Sequence, residues 1–456
     1  MKTMNKPRFI YSTVGRLCCS LAALIFLSTL SASAESILLT HGIVHTVSGQ
    51  TFTNGEVLIN DGKITMVLDG KGPESILANK IIDLKGQHLY PGMIDMDSAL
   101  GLTEIESVRG TDDMAESGSY TPDVQSWIAV NPDSELIPVA RANGIGYFEC
   151  APADDAPGHP VKGLVTGMSA VVALDGWTTE QMTIKRVAAL HVSWPEMELN
   201  TTPKEKFKDK SKYKSLEDQA KERQTKLKEF EDFFQEARAY EKERAAKGKE
   251  FNRNPPYEAM LPVVRGEIPI MVHAEEIRQI KAAAKWAQTN NFKIIIVGGR
   301  DAWMAAEVLA AGKIPVVYET EFYLPYRDSE SYDVYFREPE VLRKAGVKVA
   351  FCGGPGNFSA ALAKNLPYFA SQAVAFGYPE SEALKGLTLY PAQLLGVADR
   401  LGSIEVGKEA TLFVCDGNIL DLRAHVTQVW IAGKEMSLES RHTRLYEKYK
   451  NRPLPK

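Results

Sequence analysis

Eight short apolar segments recur through the middle of the chain, and helical periodicity lies between several of them. They are "GMIDMD", "GIGYFECAP", "VKGLVTG", "AALHVSW", "IPIMVHA", "FKIIIVGG", "IPVVYE" and "VKVAFCGG". "EEIRQIKAAAKWAQTN" and "AWMAAEVLAAG" are the clearest helical stretches. Continuous apolar strands alternating with helices imply a parallel sheet covered on both faces. Eight such units predict an α/β fold of the (β/α)8 type, a TIM-like barrel over residues 91–399. A doubly wound open sheet is the competing arrangement. It lacks support, because no glycine-rich phosphate turn follows the first strand.

The ends read differently. Residues 35–90 and 400–437 carry short strands and turn signals, among them Asn60-Asp61-Gly62, a hairpin signal. Two β-rich ends around one long middle predict a small composite β-sandwich domain built from both termini. Residues 203–250 are dense in both charges, with Tyr213, Leu216, Ala220, Leu227, Phe230, Phe234 and Ala237 at helical steps. Ser215 with Asp218 resembles a capping box, and Gly248 is placed to end the helix. This predicts an amphipathic helical insertion that packs on the barrel. A helix that meets a partner is the alternative.

Residues 1–34 have the make-up of a secretory signal: Lys2, Lys6, Arg8 and Arg16, then "LCCSLAALIFLSTL", then "SASA". The apolar run is short of the roughly 20 residues that span a bilayer. The expectation is a secreted or periplasmic protein, cut after Ala34, with no membrane association afterwards. The full chain of 456 residues has a formal net charge of −5, which leaves no basic footprint for nucleic acid. Beyond that segment stand Cys150, Cys352 and Cys415, far apart in apolar runs, which predicts buried free thiols rather than disulfides.

Three motifs carry a resemblance to a known family. "PGMID" at 91–95, "PIMVHAEE" at 269–276 and "EALKGLTLYPAQLLGVADRLGSIEVGKEATLFV" at 382–414 are similar to the amidohydrolase superfamily, nearest its imidazolonepropionase-like branch. The resemblance implies a barrel with one or two divalent metals at its C-terminal mouth. It implies ligands from His-x-His on strand one, a carboxylated Lys or a Glu on strand four, His on strands five and six, and Asp on strand eight. The bound metal would supply hydrolysis of an amide, lactam or similar bond.

The chain departs from that pattern. Asp97 and Ala99 stand at the two strand-one positions, and "ALHVSWP" has no lysine but holds His191. His273 matches the family ligand. Gly298 or Gly299 stands where His is expected, and Gly353 or Gly354 where Asp is expected. Asp97 and His273 are therefore the expected metal ligands and catalytic residues, with His191, Glu275 or Glu319 as a third ligand. One divalent metal, zinc, is the expected cofactor, or none if the barrel has become a scaffold.

At the mouth, "GLTEIESVRGTDDMAE" offers Glu104, Glu106, Arg109, Asp112 and Asp113, and "GGRDAW" offers Arg300. Glu104, Arg109 and Arg300 are the expected substrate-binding residues for a small-molecule ligand. Solvated ion pairs are the plain alternative for each. "HPVKGLVTGMSAVVALDGWTTEQM" at 159–182 is glycine-rich and reads as a lid or a tightly turned backbone. Two functions follow. One is an exported hydrolase of non-peptide carbon–nitrogen bonds with an atypical single-metal site. The other is a metal-free binding scaffold. A homo-oligomer is compatible with both.

Overall fold

The computed structural model describes residues 36–70, 72, 77–105, 108–153, 163–248, 251–319 and 322–453. The signal-like segment, Glu106 and residues 159–162 of the glycine-rich stretch lie outside the described residues.

Asp61 and Gly62 both have positive φ, 49° and 75°, the backbone of a two-residue hairpin turn. That turn sets Thr51–Asn60 antiparallel to Lys63–Asp69. Ser36–His45 pairs antiparallel with Thr51–Asn60, and parallel with Lys80–Asp83 and His88–Pro91. His88–Pro91 also takes Leu412–Cys415 on its other edge, and Val426–Ile431 follows. The two ends are thus zipped into one eight-stranded sheet by the strand that enters the middle of the chain. Its buried side packs Leu39, Val57, Ile59, Leu412, Val414 and Trp430 together.

All eight central segments form strands. Leu190–Ser193, Ile270–Ala274, Ile294–Gly298, Val316–Tyr318 and Val349–Phe351 pair in that order, all parallel. Met93–Ser98 pairs parallel with Ile145–Cys150. The third segment breaks the expected pattern, because Val165–Met168 runs antiparallel to Leu190–Ser193. Its continuation, Ala170–Ala173, runs antiparallel to Ile145–Cys150. One extended stretch therefore serves two sheets, of four and six strands, with Ser169 at the crossover. Val349–Phe351 packs beside Met93–Ser98, but no strand ladder joins them. Both parts of the 165–173 stretch are fully buried, so that part of the glycine-rich segment is core strand and not a lid, while Trp177 beyond it is 88% exposed.

The insertion is the helix Leu216–Lys247. Ser215 Oγ accepts from the Asp218 N–H at its start, and Gly248 caps its end. Phe230, Phe234, Ala237 and Tyr240 form its buried face. Phe230 meets Trp194 and Trp286 with ring centroids 5.4 and 5.1 Å apart. Burying such a side chain stabilises by roughly 1.5–3 kcal/mol, so the helix is fixed to the strand that carries His191. No described helix is long and apolar enough to cross a membrane.

Candidate metal centre and cavity

Register brings the site together. Ser193 lies opposite His273 in the parallel pair, and His191, two residues earlier, faces the same side. His191 Nδ1 stands 3.0 Å from His273 Nε2. Asp97 Oδ1 is 3.8 Å from that His191 nitrogen and 3.7 Å from that His273 nitrogen. Asp97 and His191 are fully buried, while the His273 side chain is 22% exposed. Asp97 has φ 50°, a left-handed conformation that Asp adopts more readily than most residues. The strand pairing is irregular there, between Asp95 and Ser98.

Glu149 fixes the orientation of His191. Its Oε1 is 3.1 Å from His191 Nε2 and accepts from Ser169 Oγ at 2.6 Å; its Oε2 accepts from the Asp97 N–H at 3.2 Å. Burial alone would raise the Glu149 pKa. The His191 hydrogen bond and charge, with Ser169 and the Asp97 N–H, outweigh burial and hold it below the usual value. An ionised carboxylate only accepts, so His191 Nε2 donates to Glu149, and Nδ1 faces Asp97 and His273.

These residues fit a metal ion. Asp97, His191 and His273 are the one group of three such ligands among the described residues. The point equidistant from their three facing atoms lies about 2 Å from each, the length of zinc bonds to imidazole and carboxylate. The Glu149–His191 pair is the carboxylate–histidine arrangement that orients metal-binding imidazoles. Of the three residues considered for a third ligand, the structure places His191 in the group.

His273 also borders a cavity of about 1030 Å³, together with Ser193, Trp194, Glu275, Glu319 and Tyr323. Arg223 and Lys226 of the insertion helix line it as well, so the insertion supplies one wall. A Cβ at Gly298 would lie 2.0 Å from Glu275 Oε1, and one at Gly354 would lie 2.3 Å from Glu319 Oε1. The carboxylates of the neighbouring segments occupy the space that those side chains would fill. Burial, then the Glu275 charge, pushes the Glu319 carboxyl up to about 7, although the Tyr323 hydroxyl opposes this. Burial also raises Glu275, against the Arg300 N–H and charge. Cys352 is buried, and burial with the charges of Asp97 and Glu319 pushes its thiol well up. Cys150, Cys352 and Cys415 are all free and buried.

The other expected site residues lie elsewhere. Glu104 accepts from Asn131 Nδ2 at 3.2 Å, Arg109 is exposed, and neither lines the cavity. The Arg300 guanidinium stacks 3.9 Å from the Tyr326 ring and does not line it either; its backbone N–H binds Glu275 Oε2 at 2.9 Å. Glu149 and Ser169 were not foreseen. A signal for Glu149 was present, since it is the lone acid within the apolar strand Ile145–Cys150.

Comparison with known proteins agrees with this architecture. The model of the amidohydrolase family matches residues 339–436. A solved amidohydrolase from Thermotoga maritima superposes with a TM-score of 0.73 at 27% identity, covering 88% of this chain and 99% of that one. The chain is similar to the amidohydrolases in sequence and in fold. Among curated members, the amidohydrolase tasK of Hapsidospora irregularis is 23% identical over 414 residues, 83% of this chain. An imidazolonepropionase of Brucella suis is 27% identical over 150 residues, 33% of this chain. The matches span 39% and 36% of those two relatives.

Proposed function

We propose that this chain is a member of the amidohydrolase superfamily, an exported hydrolase of non-peptide carbon–nitrogen bonds in small molecules, working with one divalent metal, zinc. Asp97, His191 and His273 would hold the metal. The observation that carries this reading is the spacing of their three facing atoms, with Glu149 orienting His191 so that its Nδ1 is one of them. When bound, the metal would polarise a carbonyl and promote attack by water. The partial exposure of His273 opens the group to the cavity, where the substrate would sit. Glu319 stands in the same cavity with its carboxyl pushed up to about 7, so it can take a proton from the attacking water and pass it to the departing nitrogen. The two central sheets are taken as one distorted barrel, and the terminal sheet as a curled sandwich.

A second reading, a metal-free binding scaffold, is favoured by Ala99, Gly298 and Gly354, which offer no ligand where the family places them. Turnover separates the two. Zinc-loaded protein and His273→Ala would be assayed on lactams, hydantoins and N-acyl anilides. Hydrolysis that His273→Ala abolishes supports the enzyme. Hydrolysis that survives the substitution, or no turnover of any probe, counts against it.

A further inference from the structure

Ser193 is the least explained polar residue of the cavity. It lies opposite His273 in register, on the face that carries His191, and is 6% exposed. Its hydroxyl has no hydrogen-bond partner among the described residues. A buried hydroxyl normally finds a partner, and the cavity is what this one borders. Glu275 and Glu319 border the same cavity and are half-buried there, leaning over Gly298 and Gly354. Gly298 belongs to the strand between the two segments that carry them, paired with Ala274 on one side and Tyr318 on the other. With no side chain at 298 or 354, Glu275 takes the space over the first and Glu319 the space over the second.

The cavity beside His273 therefore presents a hydroxyl donor and a carboxyl acceptor pair. We propose that Ser193, Glu275 and Glu319 form a clamp for a neutral C(=O)–NH group, with the Ser193 O–H donating to the carbonyl oxygen and the carboxyl pair accepting from the N–H. This rests on the proposed function in one respect: the clamped group is the bond presented to Asp97, His191 and His273. The ligand class is a secondary amide, lactam or ureide. A tertiary amide lacks the N–H and loses half the clamp. A protonated amine has no oxygen for Ser193.

The test uses 2-pyrrolidinone and N-methyl-2-pyrrolidinone, a lactam pair differing at the N–H. Their binding to the purified full chain would be followed by ligand-observed NMR titration. Neither probe needs a metal, and elemental analysis of the same sample reports separately on the proposed metal centre. The N–H lactam should bind about tenfold more tightly, as expected for one charge-assisted hydrogen bond. Glu319→Leu should erase that preference, and Glu319→Gln, which keeps an acceptor but not the charge, should leave a smaller one. Ser193→Ala should weaken both lactams by a similar factor, and the smaller Ser193→Gly serves if the alanine variant does not fold. Equal binding of the two lactams, absence of binding, or unchanged binding in Ser193→Ala and Glu319→Leu would overturn the clamp, whatever the metal content.

Discussion

Glu149 and Gln differ by one polar atom, yet the exchange at this position reaches the proposed metal centre. Gln keeps the volume and loses the charge that holds the proton on His191 Nε2. Removing such an outer partner typically lowers metal affinity about 10–100-fold. Glu149→Gln should therefore weaken zinc binding by roughly that factor in a chelator competition titration. An affinity equal to wild type would remove Glu149 from the account. Gly298 supplies a second residue-scale prediction. Its φ of 88° and the 2.0 Å approach of Glu275 leave no room for a methyl group. Gly298→Ala should cost about 2 kcal/mol or more, with Glu275 displaced. Gly266→Ala, at φ 69° with nothing within 4 Å, should cost less. Chemical denaturation of both variants gives the comparison. Asp97 and His273 were legible in the sequence because a family motif surrounds each. His191 was one of three choices, since sequence spacing does not say which face of a strand a side chain takes. Glu149 acts through three hydrogen bonds, to Asp97, Ser169 and His191, all distant in sequence, which no local pattern records.

At the scale of elements, the insertion helix was the most legible part of the molecule. Its cap at Ser215, its end at Gly248 and its contact residues Phe230, Phe234 and Ala237 follow from helical periodicity. Tyr240 was missed, and Leu216, included in the apolar stripe, is 49% exposed at the first turn. Phe230→Ala should cost about 3–5 kcal/mol, as removal of a fully buried aromatic does. It should also loosen the wall that carries Arg223 and Lys226, seen as faster proteolysis of 216–247. A loss below 1 kcal/mol would mean that the helix is not held by this contact. The direction of the third strand was not legible. A buried strand is apolar whichever way it runs, and the glycines that suggested a lid belong to its tight approach. The Cβ of a side chain at Gly167 would lie 2.9 Å from the Val124 carbonyl oxygen.

For the whole molecule, the terminal sheet couples stability to pH. His45 is buried with its Nε2 2.9 Å from His88 Nδ1. Burial, then the His88 charge, lowers its pKa from 6.5 to about 4. The unfolded chain binds this proton below pH 6.5, whereas the folded chain resists it until about pH 4. Its stability contribution is thus complete above pH 6.5 and is lost as pH falls toward 4. The unfolding free energy should drop across that window, and His45→Gln should make the drop shallower by up to about 1.4 kcal/mol per pH unit. Parallel pH profiles for the two proteins would count against this. The β-rich ends around an α/β middle were legible as composition and periodicity. The joining of both ends through His88–Pro91, and the splitting of the middle into two hydrogen-bonded sheets, were not, because strand partners are chosen in three dimensions.

The central claim is that three side chains from three strands hold one metal. Elemental analysis of the protein purified without chelator tests it most directly, with Asp97→Ala, His191→Ala and His273→Ala measured beside Glu104→Ala. The account predicts close to one zinc per chain in wild type and Glu104→Ala, and almost none in the other three. No metal in wild type, or metal retained when those three residues are removed one at a time, would contradict it.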